Sequence, residues 1–191
     1  GDRARARSAL ESRDPQPLQP ERSKAMPVQQ RIAVQSIDPE AYKPMFAMEK
    51  YIHAGSLGEP LLALVKIRAS QLNGCAYCLD MHNREAREAK VPQRKLDVLA
   101  GWFEAPALYS ERERAAIALT EEVTLISAGG VTDVVWEKVK ASFPEKEIVQ
   151  LLMAIVAINA WNRLAVSTHQ NLPAATSDEQ EYSYGHRTKS L

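Results

Sequence analysis

The chain has 191 residues, 45% of them hydrophobic and 25% charged, which is typical of a single globular domain without extreme composition. Its 24 basic residues balance its 24 acidic residues, which argues against a nucleic-acid-binding protein because such proteins usually carry a basic excess. The most apolar run, residues 148–158, is shorter than the ~20 residues that span a bilayer, and two cysteines are too few for a disulfide-stapled secreted scaffold. The composition therefore predicts a cytoplasmic protein with neither a membrane nor a nucleic-acid partner.

The two ends of the chain differ in composition from its centre. Residues 1–25 combine six basic and four acidic side chains with three prolines and few large apolar side chains, so burial cannot offset the entropy lost on ordering. The sequence predicts a flexible N-terminal arm over residues 1–25, a folded domain over residues 26–172 and a polar C-terminal tail over residues 173–191.

Helix start and stop signals divide the central region into a series of helices. Asp38-Pro39 and the capping box formed by Ser110 and Glu113 are typical of helix starts, whereas Asn73-Gly74 is typical of a break. The predicted helices span approximately residues 39–54 with a possible kink at Pro44, 60–73, 76–90, a short segment from 92, 115–126, 132–143 and 145–167. No alternating pattern indicates a strand. The predicted fold class is all-α.

The residues that could carry chemistry are Cys75, Cys78 and His82. Spacing of three residues on a helix brings two Cα atoms within disulfide distance, and the free amides at a helix start favour a thiolate. His82 lies one turn after Cys78 and two turns after Cys75, so all three side chains share one helix face. An imidazole in that position can accept a thiol proton, so the spacing indicates a dithiol with its own base.

The same residues are compatible with three other interpretations. Two cysteines can serve as small core hydrophobes. They could also bind zinc with His82 and a fourth ligand from His53, His169 or a carboxylate, although the chain has no further cysteine. A thioredoxin-type motif needs a preceding strand, whereas the segment before Cys75 is predicted to be helical. Apart from a zinc site, His53 and His169 are interpreted as structural.

Residues 70–82, Ser-Gln-Leu-Asn-Gly-Cys-Ala-Tyr-Cys-Leu-Asp-Met-His, resemble the signature of the alkyl hydroperoxidase D (AhpD)-like branch of the carboxymuconolactone decarboxylase family. The resemblance continues through residues 102–104, 112–116, Glu121, Thr124 and 158–164. It spans approximately residues 30–172. Because decarboxylase members of the family lack the cysteine pair, the peroxidase-like branch is the one implied.

The resemblance implies an AhpD-like helical subunit that assembles into homotrimers or homohexamers. It also implies a thiol peroxidase in which Cys78 attacks a small hydroperoxide and Cys75 then forms a disulfide with it. A dithiol such as dihydrolipoamide would reduce that disulfide. No flavin, haem or nucleotide motif is visible, so no cofactor is expected.

One position departs from the family pattern. The family commonly has a glutamate twelve residues before the first cysteine, where it joins a proton relay, but this chain has Ala63. Glu121, in an otherwise apolar helix, is the predicted substitute; the alternative is that it only pairs with a cation such as Arg163. Lys66 and Arg68 are interpreted as solvated surface residues.

Two classes of function therefore remain open. One is an enzyme, a peroxidase or related thiol–disulfide oxidoreductase with Cys78, Cys75, His82 and Glu121 as its catalytic residues. The other is a helical oligomer in which the motif binds zinc or senses oxidants without peroxidase turnover, and Ala63 lends it some support.

Overall fold

The structure, a computed structural model, describes residues 29–172. The predicted arm, and the predicted tail from residue 173 onward, lie outside the described residues. Within 29–172 the chain forms α-helices and short 3-10 helices without a strand, which confirms the all-α prediction. The α-helices are α1 (Val34–Ile37), α2 (Lys43–His53), α3 (Glu59–Asn73), α4 (Ala76–Glu88), α5 (Gln93–Val98), α6 (Glu111–Thr124), α7 (Asp133–Ser142) and α8 (Glu145–Thr168).

The first predicted helix is divided in the structure. The Asp38 side chain caps a single 3-10 turn by accepting a hydrogen bond from the Glu40 amide at 3.1 Å. Helix α2 begins only at Lys43, and Pro44 lies in its first turn, where its missing amide leaves no hydrogen bond unmade. The predicted kink at Pro44 is therefore wrong, because this proline starts a helix instead of interrupting one.

Helices α3 and α8 form the centre of the molecule. Helix α3 packs against α4, α6 and α8, while α8 also contacts α2. Leu64 on α3 and Ile155 and Ile158 on α8 are completely buried, and each such side chain contributes about 1.5–3 kcal/mol by leaving water. Helix α4, which begins at the cysteine pair, thus packs against the most deeply buried helices of the fold.

Helix α8 is the one helix in residues 29–172 that is long and apolar enough, by length and composition, to cross a membrane. It has 24 residues, so it exceeds the 148–158 run from which the sequence argument was made. Half of its most apolar window is nevertheless buried inside the protein. This burial is typical of the core helix of a globular domain.

Gln150 of α8 fixes the end of α2. Its side-chain amide donates to the Ile52 carbonyl at 2.6 Å, and its side-chain oxygen accepts from the Ser56 amide at 3.2 Å. A Cβ atom at Gly55 would overlap the Gln150 side chain. Only glycine therefore lets the chain pass closely enough for Gln150 to make both hydrogen bonds.

Candidate active site

The turn between α3 and α4 places the two cysteines. Helix α3 ends at Asn73, and Gly74 adopts the left-handed conformation (φ 65°, ψ 33°) that glycine tolerates without steric cost. Cys75 then becomes the N-cap of α4, and its sulfur accepts a hydrogen bond from the Cys78 amide at 3.3 Å. The start of a thirteen-residue helix thus lies directly at the cysteine pair.

Cys75 and Cys78 are joined in a disulfide in this structure, with their Cα atoms 5.4 Å apart. The two cysteines are only 1% and 2% exposed, and they pack with Ala69, Ile158 and Ala165 in a small apolar cluster. The three-residue spacing therefore does bring the cysteines to bonding distance. Because both are buried, a reactant must reach the sulfurs through a cavity.

His82 lies one turn beyond Cys78 and is 3% exposed. Its Nδ1 is 2.7 Å from the Glu85 carboxylate, whereas its Nε2 is buried and has no hydrogen-bond partner. The hydrogen bond with His82 lowers the pKa of Glu85, and the nearby positive charge of Lys66 acts in the same direction. Glu85 is thus an anion at neutral pH, which favours the tautomer with the proton on Nδ1. That tautomer leaves the Nε2 lone pair free to accept a proton.

A cavity of about 290 Å³ connects Cys78 and His82. Tyr42, Phe46 and Trp161 form its aromatic side, and adjacent rings meet with centroids 5.0–6.0 Å apart. Burial raises the pKa of Tyr42, so this phenol stays neutral at physiological pH. The cavity therefore combines an aromatic cluster with the sulfur of Cys78 and the imidazole of His82.

Lys66 lines the same cavity, and its side chain is only 4% exposed. The ammonium donates to a Glu49 carboxylate oxygen at 2.7 Å and to His53 Nε2 at 3.1 Å. The second Glu49 oxygen accepts from the Trp161 indole at 3.0 Å, and His53 Nδ1 is 2.7 Å from Glu59. The interpretation of Lys66 as solvated surface is wrong: it is a buried cation held by polar partners on α2 and lies beside the disulfide.

Glu121 does not lie at the cavity that contains Cys78 and His82. One of its carboxylate oxygens accepts from Arg68 Nε at 2.7 Å and from the Trp102 indole at 2.6 Å, and it does not line the cavity at Cys78. Its cation is Arg68, not Arg163 as the alternative suggested, so Arg68 is not a free surface residue either. Ala63 is buried in an apolar cluster. The structure thus brings Cys75, Cys78 and His82 together, but it does not bring Glu121 to them.

A buried amide network holds the turn before Cys75 against α8. Asn73 donates to the side-chain oxygens of Asn159 and Asn162 at 3.0 and 2.9 Å. The Asn162 amide in turn donates to Ser70 at 3.0 Å, while Arg163 donates to the Asn159 side-chain oxygen at 3.0 Å. The buried side chains of Asn159 and Asn162 thus find their hydrogen-bond partners inside the protein, as buried polar groups require.

Within residues 29–172 no group of three or more His, Cys, Asp and Glu side chains is arranged to hold a metal ion. The sulfurs of both cysteines are bonded to each other, and His82 Nδ1 is directed at Glu85.

Fold, cysteine pair and adjacent histidine together define the class: the chain belongs to the carboxymuconolactone decarboxylase family, whose model matches residues 39–122. The uncharacterized protein YdfG of Bacillus subtilis is 38% identical over 138 residues, which are 72% of this chain and 93% of that protein.

Solved structures with the same fold indicate that the chain belongs to the AhpD-like branch of the family. A protein of unknown function from Agrobacterium tumefaciens, described as an AhpD antioxidant defence protein, is 37% identical; the match covers 77% of this chain and all of that chain, with a TM-score of 0.74. A peroxidase-related protein from Silicibacter shares the fold at 19% identity and a TM-score of 0.64, with 76% of this chain and 75% of that chain covered.

Proposed function

We propose that this protein is a thiol peroxidase that reduces small hydroperoxides with its cysteine pair and is regenerated by a dithiol such as dihydrolipoamide. The observation that carries the proposal is the joint placement of Cys78 and His82 in one cavity wall, with Nε2 of His82 buried and free of any partner. This placement supports the proposal, because it puts a cysteine of the disulfide and a proton acceptor at the same cavity.

In the first step the Cys78 thiolate attacks the outer oxygen of the hydroperoxide. The S–O bond forms as the O–O bond breaks, which leaves a sulfenic acid on Cys78 and releases an alcohol once the alkoxide gains a proton. His82 Nε2 accepts the thiol proton beforehand, and Glu85 stabilises the resulting imidazolium through the 2.7 Å contact. Cys78 is assigned as the attacking cysteine because it lines the cavity together with the histidine.

In the second step Cys75 attacks the sulfenic sulfur, water leaves and the disulfide forms. The 5.4 Å separation of the two Cα atoms, which lies in the range that a disulfide requires, supports this step. A dithiol then reduces the disulfide in two exchange steps and is itself oxidised to a disulfide. A second cavity, of about 370 Å³, is lined by Gly74, Cys75 and Tyr77 and gives this reductant a route to Cys75 that does not cross the aromatic wall.

We further propose that the protein acts in the cytoplasm as a homotrimer or homohexamer, as the family resemblance implies. Val149 and Val156 lie two turns apart on one face of α8 and are 52% and 47% exposed. An apolar stripe on a central helix supports association between copies of the chain.

The proposal is tested by steady-state consumption of tert-butyl hydroperoxide with dihydrolipoamide as reductant. The parent protein should turn over, Cys78→Ser should be inactive, and Cys75→Ser should react once and then stop because no disulfide forms. Equal consumption by the parent and Cys78→Ser would contradict the assignment.

An oxidant sensor without repeated turnover is the second candidate, and the apolar surroundings of Ala63 favour it because the family's relay carboxylate is missing there. A sensor would form the disulfide with one equivalent of peroxide and yet show no sustained consumption with excess dithiol. A zinc-binding oligomer would instead contain stoichiometric zinc when the reduced protein is purified and analysed for metals.

A further inference from the structure

The buried ammonium of Lys66 has no role in the steps above, although it lines the cavity that contains Cys78 and His82. A lysine side chain that is 4% exposed is unusual, since burying a charge is costly unless polar partners compensate. Glu49 and His53 supply two such partners and thereby occupy two of the three ammonium protons. The third proton is left for a molecule in the cavity.

When the O–O bond breaks, the alkoxide that leaves needs a proton in the cavity at Cys78. The leaving alkoxide is a strong base, and the reaction is faster if an acid protonates it as the bond breaks. His82 is poorly suited to this task while its charge stabilises the Cys78 thiolate, and Glu85 is already ionised. Ala63 offers no proton, and Glu121 is bound to Arg68 and Trp102 outside the cavity.

We propose that Lys66 is a catalytic residue of this peroxidase: its ammonium group protonates the alkoxide that leaves when Cys78 attacks the hydroperoxide. This inference rests on the proposed function. The electron pair of the O–O bond goes to the inner oxygen, which takes the proton from Lys66 and departs as the neutral alcohol. Lys66 is left as an amine that must regain one proton before the next cycle.

The polar chain behind Lys66 supplies that proton from water. His53 Nε2 is 3.1 Å from the lysine nitrogen, and the His53 side chain is 38% exposed. Its Nδ1 is 2.7 Å from Glu59, whose side chain is 57% exposed. Because this imidazole is partly exposed to solvent, it takes up a proton from water, gives its Nε2 proton to the lysine amine and returns to the tautomer with the proton on Nδ1.

Glu49 is a positioning residue in this arrangement. Its carboxylate is fixed from one side by the Trp161 indole at 3.0 Å and accepts from Lys66 at 2.7 Å on the other. The two contacts fix the carboxylate, and the carboxylate holds the ammonium group at the cavity wall.

The test compares two oxidants that differ in how much they need an acid. An alkyl hydroperoxide such as tert-butyl hydroperoxide releases a strongly basic alkoxide, whereas peracetic acid releases acetate, which is stable without a proton. Fully reduced protein is mixed with each oxidant, quenched at intervals and alkylated, and the remaining thiols are counted by mass spectrometry. Lys66→Met should slow the alkyl hydroperoxide reaction by about 100-fold or more, the usual effect of losing a general acid, and the peracid reaction only slightly.

Lys66→Arg is the matched control, since it keeps the positive charge but its guanidinium does not give up a proton; it should slow the alkyl hydroperoxide reaction nearly as much as Lys66→Met. If Lys66→Met does not fold, Glu49→Gln/Lys66→Met removes the buried pair as a unit and should show the same selectivity. Damage to the fold alone would slow both oxidants equally, so an unchanged ratio of the two rates would overturn the role of Lys66. A parent protein that reacts with neither oxidant would instead refute the proposed peroxidase function itself.

Discussion

Replacing Asn73 by alanine tests whether the amide network holds the cysteine turn in place. Two hydrogen bonds are lost, to Asn159 and to Asn162. The Asn159 oxygen keeps the hydrogen bond from Arg163, but the oxygen of Asn162, a residue only 1% exposed, loses its donor. One lost hydrogen bond and one buried unsatisfied acceptor together should lower the free energy of unfolding by about 2–3 kcal/mol.

This change is measured by urea and thermal unfolding of the oxidised protein. For a chain of this size the expected loss corresponds to a Tm lower by about 5–10 °C. Asn83→Ala is the control, because Asn83 donates only to the Leu79 carbonyl of its own helix, and it should change stability by less than about 0.5 kcal/mol. If Asn73→Ala were no less stable than Asn83→Ala, the network would not be what anchors the turn.

Three further predictions concern the base, a close contact and the response to acid. His82→Ala should move the alkylation of the reduced Cys78 thiol to higher pH, because the adjacent proton acceptor is lost; iodoacetamide rates across the pH range measure it. Gly55→Ala should lower the free energy of unfolding by about 2 kcal/mol, since the new methyl group displaces Gln150. Hydrogen bonds from a serine and an arginine lower the pKa of Glu147, so its contribution to stability, about 1 kcal/mol, is present at neutral pH and lost as acid protonates it. Unfolding of Glu147→Gln at several pH values measures that loss.

Each of these has a result that would contradict it. Unchanged alkylation of His82→Ala at all pH values would remove the proposed base. Gly101→Ala is the control for Gly55→Ala, because a Cβ at Gly101 meets no atom within 4 Å, and equal stability of the two variants would refute the argument from close contact. For Glu147, a stability difference from the parent that persisted when the carboxyl group is fully protonated would show that its charge is not the cause.

The elements that the sequence predicted best are those set by short-range chemistry. The capping box is present as predicted: the Glu113 amide donates to Ser110 Oγ at 3.2 Å, and the Ser110 amide donates to the Glu113 side chain at 2.7 Å. The grouping of Cys75, Cys78 and His82 follows in the same way from three- and four-residue spacing on one helix. The 3-10 segments Leu99–Glu104 and Pro106–Leu108 were not predicted, since they lack a regular apolar period.

The polar group around Lys66, by contrast, depends on contacts between helices that are distant in the sequence. Glu49, Lys66 and Trp161 come from α2, α3 and α8, and no local pattern indicates that they meet. One signal for Lys66 was nevertheless available: it interrupts an apolar stretch of α3, where a charged side chain must find a partner. The same reasoning predicts a role for Glu121, and this carboxylate is indeed paired, but with Arg68 and away from the cysteines.

The central claim is that Cys78, beside His82, is the nucleophile that takes an oxygen atom from the peroxide, and mapping a single turnover tests it most directly. Reduced parent, Cys75→Ser and Cys78→Ser proteins receive one equivalent of tert-butyl hydroperoxide in the presence of dimedone, and each cysteine is then examined by mass spectrometry. The account predicts a Cys75–Cys78 disulfide in the parent, a dimedone adduct on Cys78 in Cys75→Ser, and an unmodified Cys75 in Cys78→Ser. A dimedone adduct on Cys75 with Cys78 left reduced, or no oxidation of the parent, would contradict it.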